Sequence, residues 1–385
     1  MLSRNCNFNA RKKNHGKPKL LFVVTEDWYF VSHRLPLAMA ALKAGFDVVV
    51  ATRARKYASE IQDAGIRLIP FEMSRRVGNP LREVIALCLL YRREQPDIVH
   101  HVALKPVLYG SMAMCLRPKA AQVNAVAGLG WLFISRSRLA RLVSPAIRWM
   151  LAWLLSAPRC RVIVQNPDDE NLLKQAGVSE SGLRMVRGSG VDTSVFLPSP
   201  EPSEPICVMM ATRILWDKGV GEFVEAARKL KLTKSKARFV LVGEPDKDNP
   251  ASVPQDILKA WQKENVVEWM GHCNDMVATL KMAHVVCLPS YREGLPKVLI
   301  EAAACGKPIV TTDVPGCREV VRDGDNGLLV PVRDSEALSK ALLQLIENSE
   351  LRAQMGKRGR EIASVEFSSD RVIEKTLDIY KELLE

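Results

Sequence analysis

Residues 285–307 read V-V-C-L-P-S-Y-R-E-G-L-P-K-V-L-I-E-A-A-A-C-G-K. The apolar run Val285–Pro289 has the character of a buried strand, and the loop after it carries Glu293 and Gly294. Pro296 falls where the first turn of a helix would be, a position whose N–H has no partner to lose. The small residues Ala302–Ala304 let that helix close on the sheet. A strand, a Gly-containing turn and a helix N-terminus together make a phosphate site, because free N–H groups and the positive end of the helix converge there. Glu293 in the loop and Glu301 two turns into the helix can accept hydrogen bonds from sugar hydroxyls. Taken alone, the same two acids are equally a capping residue and a surface residue.

The strand–helix alternation continues outward from this stretch. Short apolar runs at Leu20–Val24, Asp47–Ala51, Asp97–His101, Ala121–Val126 and Arg161–Val164 are separated by amphipathic segments such as Arg34–Ala44 and Pro80–Glu94. That pattern predicts a doubly wound α/β sheet. It breaks at P-S-P-E-P-S-E-P, residues 198–205, where fixed φ angles and missing backbone donors suit a connection. It then restarts with Ile206–Met210, Arg238–Val242, Val285–Pro289 and Pro308–Thr311. The reading is a basic tail over 1–17, Rossmann-like domains over 18–197 and 206–367 joined by the linker 198–205, and a helix over 368–385. A cleft is expected where the strand C-termini of the two domains face each other.

The net charge of +12 is unevenly spread. Residues 1–200 carry 29 Lys and Arg against 14 Asp and Glu, whereas the remainder carries 26 against 29. The N-terminal half therefore faces something anionic: phospholipid, nucleic acid or a diphosphate-bearing acceptor. The absence of basic stretches interleaved with aromatic residues argues against nucleic acid. Nine cysteines are scattered with no C-x-x-C pair, as expected of reduced thiols, with Cys88 and Cys287 in apolar runs. No uninterrupted apolar stretch reaches the length of a spanning helix.

Residues 136–155 form a basic amphipathic segment. Leu139, Leu142, Val143, Ala146, Ile147, Met150, Leu151 and Leu154 share one face, with Arg138, Arg141 and Arg148 opposite and Trp149 and Trp153 near the boundary. Trp beside Arg at the edge of an apolar face suits a helix lying on an anionic membrane surface. A sheet-packing helix with a solvated basic face is the alternative.

E-G-L-P-K-V-L-I-E (residues 293–301) resembles the E-x7-E motif of glycosyltransferase family 4, whose members have the two-domain GT-B fold. The segments G-S-G-V-D-T-S-V-F (188–196), A-T-R-I-L-W-D-K-G (211–219), L-V-G-E (241–244), L-P-S (288–290) and D-G-D-N-G-L-L-V (323–330) agree with it, in the family's order. The resemblance implies a retaining, metal-independent enzyme needing no cofactor, and a C-terminal helix that returns to the N-terminal domain. It implies that Arg213 and Lys218 hold the donor diphosphate, that Glu301 binds the nucleotide ribose, and that Glu293 binds the transferred sugar. Gly243, Gly294 and Leu295 complete the implied donor site.

The N-terminal half resembles bacterial enzymes of this family that act on polyprenyl-diphosphate-linked sugars. The matching segments are F-V-S-H-R-L-P-L-A (30–38), H-H-V-A-L-K-P-V-L-Y-G-S (100–111) and V-N-A-V-A-G-L-G-W-L-F (123–133). They imply an acceptor site with His33, His100 and Lys105, and a catalytic role for His101. Many members carry His-x-His here, whereas this chain reads His100-His101-Val102, which leaves the supporting group open between His101 and Lys105. The implied reaction moves a hexose or N-acetylhexosamine from a UDP-sugar to a lipid-diphosphate-linked sugar. The implied location is peripheral, at the cytoplasmic face of the bacterial inner membrane. An epimerase or phosphorylase of the same fold, acting on a soluble sugar, is the other enzyme reading.

Overall fold

The computed structural model describes residues 16–73, 78–116, 120–126, 149–233, 235–246 and 248–385. The first sheet comprises β1 (Lys19–Glu26), β2 (Asp47–Arg53), β3 (Arg67–Pro70), β4 (Ile98–Val102), β5 (Ala121–Ala125), β6 (Cys160–Val164) and β7 (Leu183–Met185). Its order is β3-β2-β1-β4-β5-β6-β7, with every pairing parallel. The second comprises β8 (Cys207–Ala211), β9 (Arg238–Val242), β10 (Glu268–Trp269), β11 (Val285–Leu288), β12 (Ile309–Thr312) and β13 (Gly327–Val330). These run β10-β9-β8-β11-β12-β13, again parallel throughout. Two Rossmann-like α/β domains result, as the alternating pattern requires.

The central strands β4, β5, β8, β11 and β12 are buried at every residue, because helices cover both faces of a parallel sheet. The helices that position the cleft are α1 (Asp27–His33), α2 (Leu35–Lys43), α3 (Pro80–Glu94), α4 (Leu104–Met114), α5 (Pro167–Gln175), α6 (Val220–Leu232) and α7 (Lys297–Ala304). Two long helices close the chain, α8 (Ser349–Glu366) and α9 (Ser369–Leu384).

Helix α9 does return to the N-terminal domain. It lies against α2, and its Val372, Ile379, Tyr380 and Leu383 join the core built on Phe22, Phe30 and Phe46. At its far end Arg161 and Arg184 both reach Glu382, at 2.9 and 2.6 Å. Full burial of side chains this size contributes about 1.5–3 kcal/mol each. The chain thus passes between domains twice, and the passages are bonded to each other: Val191 N–H donates to Phe367 O at 2.9 Å, and Ser369 N–H to Val191 O at 2.9 Å.

Candidate active site between the two domains

In both sheets the strand order reverses at a central pair, β1/β4 in the first and β8/β11 in the second. Crevices form outside the carboxyl ends of strands at such reversals. The two crevices face each other across a cavity of about 630 Å³, lined by residues that follow β1, β4, β8 and β11. Its walls carry five cations (Arg34, Arg213, Lys218, Arg292 and Lys297) against three carboxylates, Glu26, Asp217 and Glu293. The surplus suits a ligand with more than one negative charge.

The C-terminal wall is built around Glu293. Its Oε1 accepts from Lys218 Nζ at 2.6 Å and from Ser290 Oγ at 2.7 Å. Lys218 is brought there by a single 3₁₀ turn, Trp216–Lys218, followed by Gly219 at φ 77°. Only glycine fits, because a Cβ would stand 2.1 Å from Pro289 O. Tyr291 N–H donates to Asp217 O at 2.9 Å and ties the β8 loop to the β11 loop. Arg213, half-exposed at the rim, pairs with Asp246 at 3.0 Å. Lys218, Arg213, Glu293, Gly294 and Leu295 all line the cavity.

Glu301 and Gly243 do not line it. Glu301 is buried and held 3.2 Å from Lys297, one turn earlier on α7, and burial raises its carboxyl above the usual range. Gly243 serves packing: at φ 130° a Cβ would stand 1.9 Å from Thr212 O, and its own carbonyl accepts from Trp269 Nε1 at 2.8 Å.

The N-terminal wall differs from the sequence expectation. His100, His101 and Lys105 do not reach the cleft. Successive side chains of a strand point to opposite faces, and β4 is central and covered on both. His100 stacks on Phe22 and its Nδ1 meets Tyr380 Oη of α9 at 2.5 Å. His101 faces the other layer, with Nε2 at 2.7 Å from Tyr91 Oη and Nδ1 at 2.8 Å from Asn124 Oδ1. Both are fully buried, and desolvation lowers both pKa values, that of His101 to about 4. Lys105 pairs with Glu83 of α3 at 2.8 Å. What β4 gives the cleft is its backbone end, Val102 and Ala103, the latter at φ 73°.

The wall is made by the turn after β1 and by α1. Trp28, Tyr29, His33 and Arg34 line it. His33 stacks on Tyr29 with centroids 4.2 Å apart, and its Nδ1 lies 2.6 Å from Ser32 Oγ. Burial, with the charges of Lys297, Arg34 and Arg213 nearby, lowers its pKa to about 3, so it presents a neutral imidazole. Arg34 Nε and Arg292 Nε are buried without a partner among the described residues. Orphaned buried donors cost about 1–3 kcal/mol each unless a ligand or water meets them.

Several contacts cross between the domains, among them Arg318 with Asp168 at 3.5 Å and Arg187 with Glu319 at 3.3 Å. Lys297 Nζ donates to Ser32 O at 2.8 Å, Asn166 Nδ2 to Gly294 O at 2.7 Å, and Arg292 pairs with Asp169 at 2.8 Å. The sequence reading singled out none of Trp28, Tyr29, Arg34, Asn166, Arg292 or Lys297 as site residues. Arg34, Arg292 and Lys297 stand within or beside the motif segments, and their charge there is the signal the sequence carries.

The membrane-facing expectation divides. Arg138, Arg141 and Arg148 lie outside the described residues. Residues 149–155 are helical, with Leu151 and Leu155 buried in the domain's own core, while Trp149 and Trp153 are 71% and 60% exposed. An apolar stripe not anticipated from sequence, Leu81, Ile85 and Leu89, stands exposed along α3. Among the described residues no helix is long and apolar enough to cross a membrane.

Residues 195–362 match the family model described as glycosyl transferases group 1, and residues 19–158 the model described as glycosyl transferase 4-like. The chain is 28% identical to the N,N'-diacetylbacillosaminyl-diphospho-undecaprenol alpha-1,3-N-acetylgalactosaminyltransferase of Campylobacter jejuni, across 91% of this chain and 95% of that one. It is 23% identical to the UDP-Gal:alpha-D-GlcNAc-diphosphoundecaprenol alpha-1,3-galactosyltransferase of Escherichia coli, across 79% and 80%. The fold matches the crystal structure of Anabaena Alr3699/HepE in complex with UDP and glucose with a TM-score of 0.77 at 18% identity, over 95% of this chain and 100% of that one.

Proposed function

Because the chain belongs to the glycosyltransferases, with a group 1 C-terminal domain and a 4-like N-terminal domain of the GT-B architecture, we propose that it moves a hexose or N-acetylhexosamine from a UDP-sugar to a polyprenyl-diphosphate-linked sugar in bacterial surface glycan assembly. The observation that carries the reading is the surplus of cations lining the cavity at the paired strand ends, with Lys218 bonded to Glu293. Lys218, Arg213 and the N-terminus of α7 take the donor diphosphate, and their fixed charge stabilises the negative charge that grows on the leaving UDP. Glu293 accepts from hydroxyls of the transferred sugar. The neutral His33 and the aromatic rings of Trp28 and Tyr29 bound the sugar and the incoming acceptor.

In the transfer step the bond from the anomeric carbon to the β-phosphate oxygen breaks and the acceptor hydroxyl bonds that carbon on the same face, so configuration is retained. The hydroxyl proton passes to the departing phosphate oxygen. The reading requires no metal, since side-chain cations neutralise the diphosphate. Lipid-linked acceptors in the names of the Campylobacter and Escherichia relatives, the basic N-terminal half and the exposed Trp149 and Trp153 support work at the cytoplasmic face of the inner membrane.

The test is UDP release from a panel of UDP-sugars with a polyprenyl-diphosphate monosaccharide in detergent, with the glycolipid identified by mass. No UDP from any donor would sink the proposal. Turnover undiminished without lipid would instead favour an epimerase or phosphorylase.

A further inference from the structure

A second cavity, of about 490 Å³, opens at the opposite end of the C-terminal sheet from the cleft. His284, the residue before β11, and Lys307, two residues before β12, form its floor, and the segments 198–201 and 352–361 form its walls. Lys307 is only 4% exposed, and its ammonium makes no hydrogen bond or ion pair with any described residue. The other polar groups are engaged. Arg352 holds Glu201 and the carbonyls of Leu345 and Ile346, and Arg360 donates to the carbonyls of Thr193, Phe196 and Ala304. His284 accepts from Cys207 N–H at 2.9 Å and lies 3.0 Å from Pro202 O, which leaves it neutral. Glu361 pairs with Arg358 at 3.0 Å. Lys357 stands exposed at the mouth, and Ser199 Oγ is buried with no partner among the described residues.

With its stem buried, Lys307 faces the cavity, and the nearby carboxylate of Glu201 is already bonded to Arg352, so an entering group of opposite charge would give the ammonium a direct partner. An anion suits the cavity best, since the lining carries Lys307, Arg352, Lys357 and Arg360 against Glu201 and Glu361. The volume falls in the range of small-molecule sites and exceeds the need of a bare phosphate ion. Pro198, Ala283, Pro308 and Ala353 supply apolar wall for the body of such a ligand. We propose that this cavity binds a phosphorylated small metabolite of the sugar-phosphate class, with its phosphate on Lys307, its approach guided by Lys357 and a hydroxyl on Ser199. Nothing in the cleft chemistry uses these residues, so the site stands or falls independently of the transfer reaction.

The test is isothermal titration of the full-length protein with inorganic phosphate and with glucose 6-phosphate. Wild type, Lys307→Met, Lys357→Glu and the cleft variant Lys218→Ala are compared at one pH and ionic strength. Phosphate taken up by the cleft is common to wild type, Lys307→Met and Lys357→Glu, and cancels in the comparison. Glucose 6-phosphate is expected to bind wild type more tightly than phosphate does. Loss of the charge-assisted contact in Lys307→Met weakens it about tenfold or more. Lys357→Glu, an exposed change that leaves the core untouched, weakens it as well, and Lys218→Ala retains it. Wild-type affinity in both Lys307→Met and Lys357→Glu would overturn the site. So would a response abolished by Lys218→Ala. Equal affinity for the two ligands would overturn the sugar-phosphate assignment, and should Lys307→Met not fold, Lys357→Glu decides.

Discussion

Replacing Lys218 by Met isolates the charge on which donor binding is argued to rest. The ammonium lies 2.6 Å from Glu293 Oε1, with the two side chains only 15% and 13% exposed. Methionine keeps most of the stem and removes the charge. An incoming diphosphate then loses one charge-assisted hydrogen bond, about 1.5–3 kcal/mol. It also meets the Glu293 carboxylate with only Ser290 to offset it; at a separation of roughly 5 Å and an effective dielectric of about 20 the repulsion is ~3 kcal/mol, and hydration or proton uptake reduces it. The expected loss is about 3–5 kcal/mol, roughly a hundredfold to a few thousandfold in the Kd for UDP by calorimetry, with Tm as the check on folding. Adding Glu293→Gln removes the repulsion, so the double variant should bind UDP more tightly than Lys218→Met alone. A Kd within threefold of wild type for Lys218→Met, or a double variant no tighter than the single, would refute the reasoning.

Gly219→Ala places a Cβ 2.1 Å from Pro289 O at a left-handed φ, so a loss of about 2–4 kcal/mol in unfolding free energy is expected, together with weaker UDP binding as Lys218 shifts; an unchanged denaturant midpoint would contradict it. His101, held at about 4 against an unfolded value near 6.5, binds its proton in the unfolded chain first. Its contribution is therefore fully present above pH 6.5 and lost as pH falls toward 4, about 1.4 kcal/mol per pH unit and roughly 3 kcal/mol in all. His101→Gln should flatten the slope of unfolding free energy against pH in that window, and an identical slope in the variant would argue against the assignment. Trp149→Ser with Trp153→Ser removes two exposed rings, each worth about 1.5–3 kcal/mol when buried, so sedimentation with vesicles rich in phosphatidylglycerol should fall by a hundredfold or so. Equal partitioning of variant and parent would remove these residues from the membrane contact.

The nine apolar runs picked out in the sequence are all strands in the structure, because a parallel strand covered on both faces cannot hide its composition. The strands that were not legible are β3, β7, β10 and β13. They sit next to or at sheet edges and are short: β3 reads R-L-I-P with two exposed ends, and β10 has two residues. In the site, Lys218, Glu293 and Arg213 could be found because their spacing is local to two loops. Lys297 and Ser32 could not, since 265 residues separate them and only domain apposition brings them together. The histidine pair misled for a geometric reason. Being adjacent, the two rings point to opposite layers, and β4 runs on to Val102, so the turn into the cleft begins beyond both of them.

The paired passages at Val191 and Phe367–Ser369 have a mechanical consequence. Two tethers laced together behave as a single pivot, so one half of the molecule can swing against the other but cannot slide or spin freely about it. Because the last seventeen residues travel with the first half, a fluorophore on Glu385 and another on an exposed site of the second half would report the swing as a change in their separation. Ending the chain at residue 367 would do more than free the pivot: it would leave the ledge beside Phe22 and His100 bare and turn a hinge into a sticky edge.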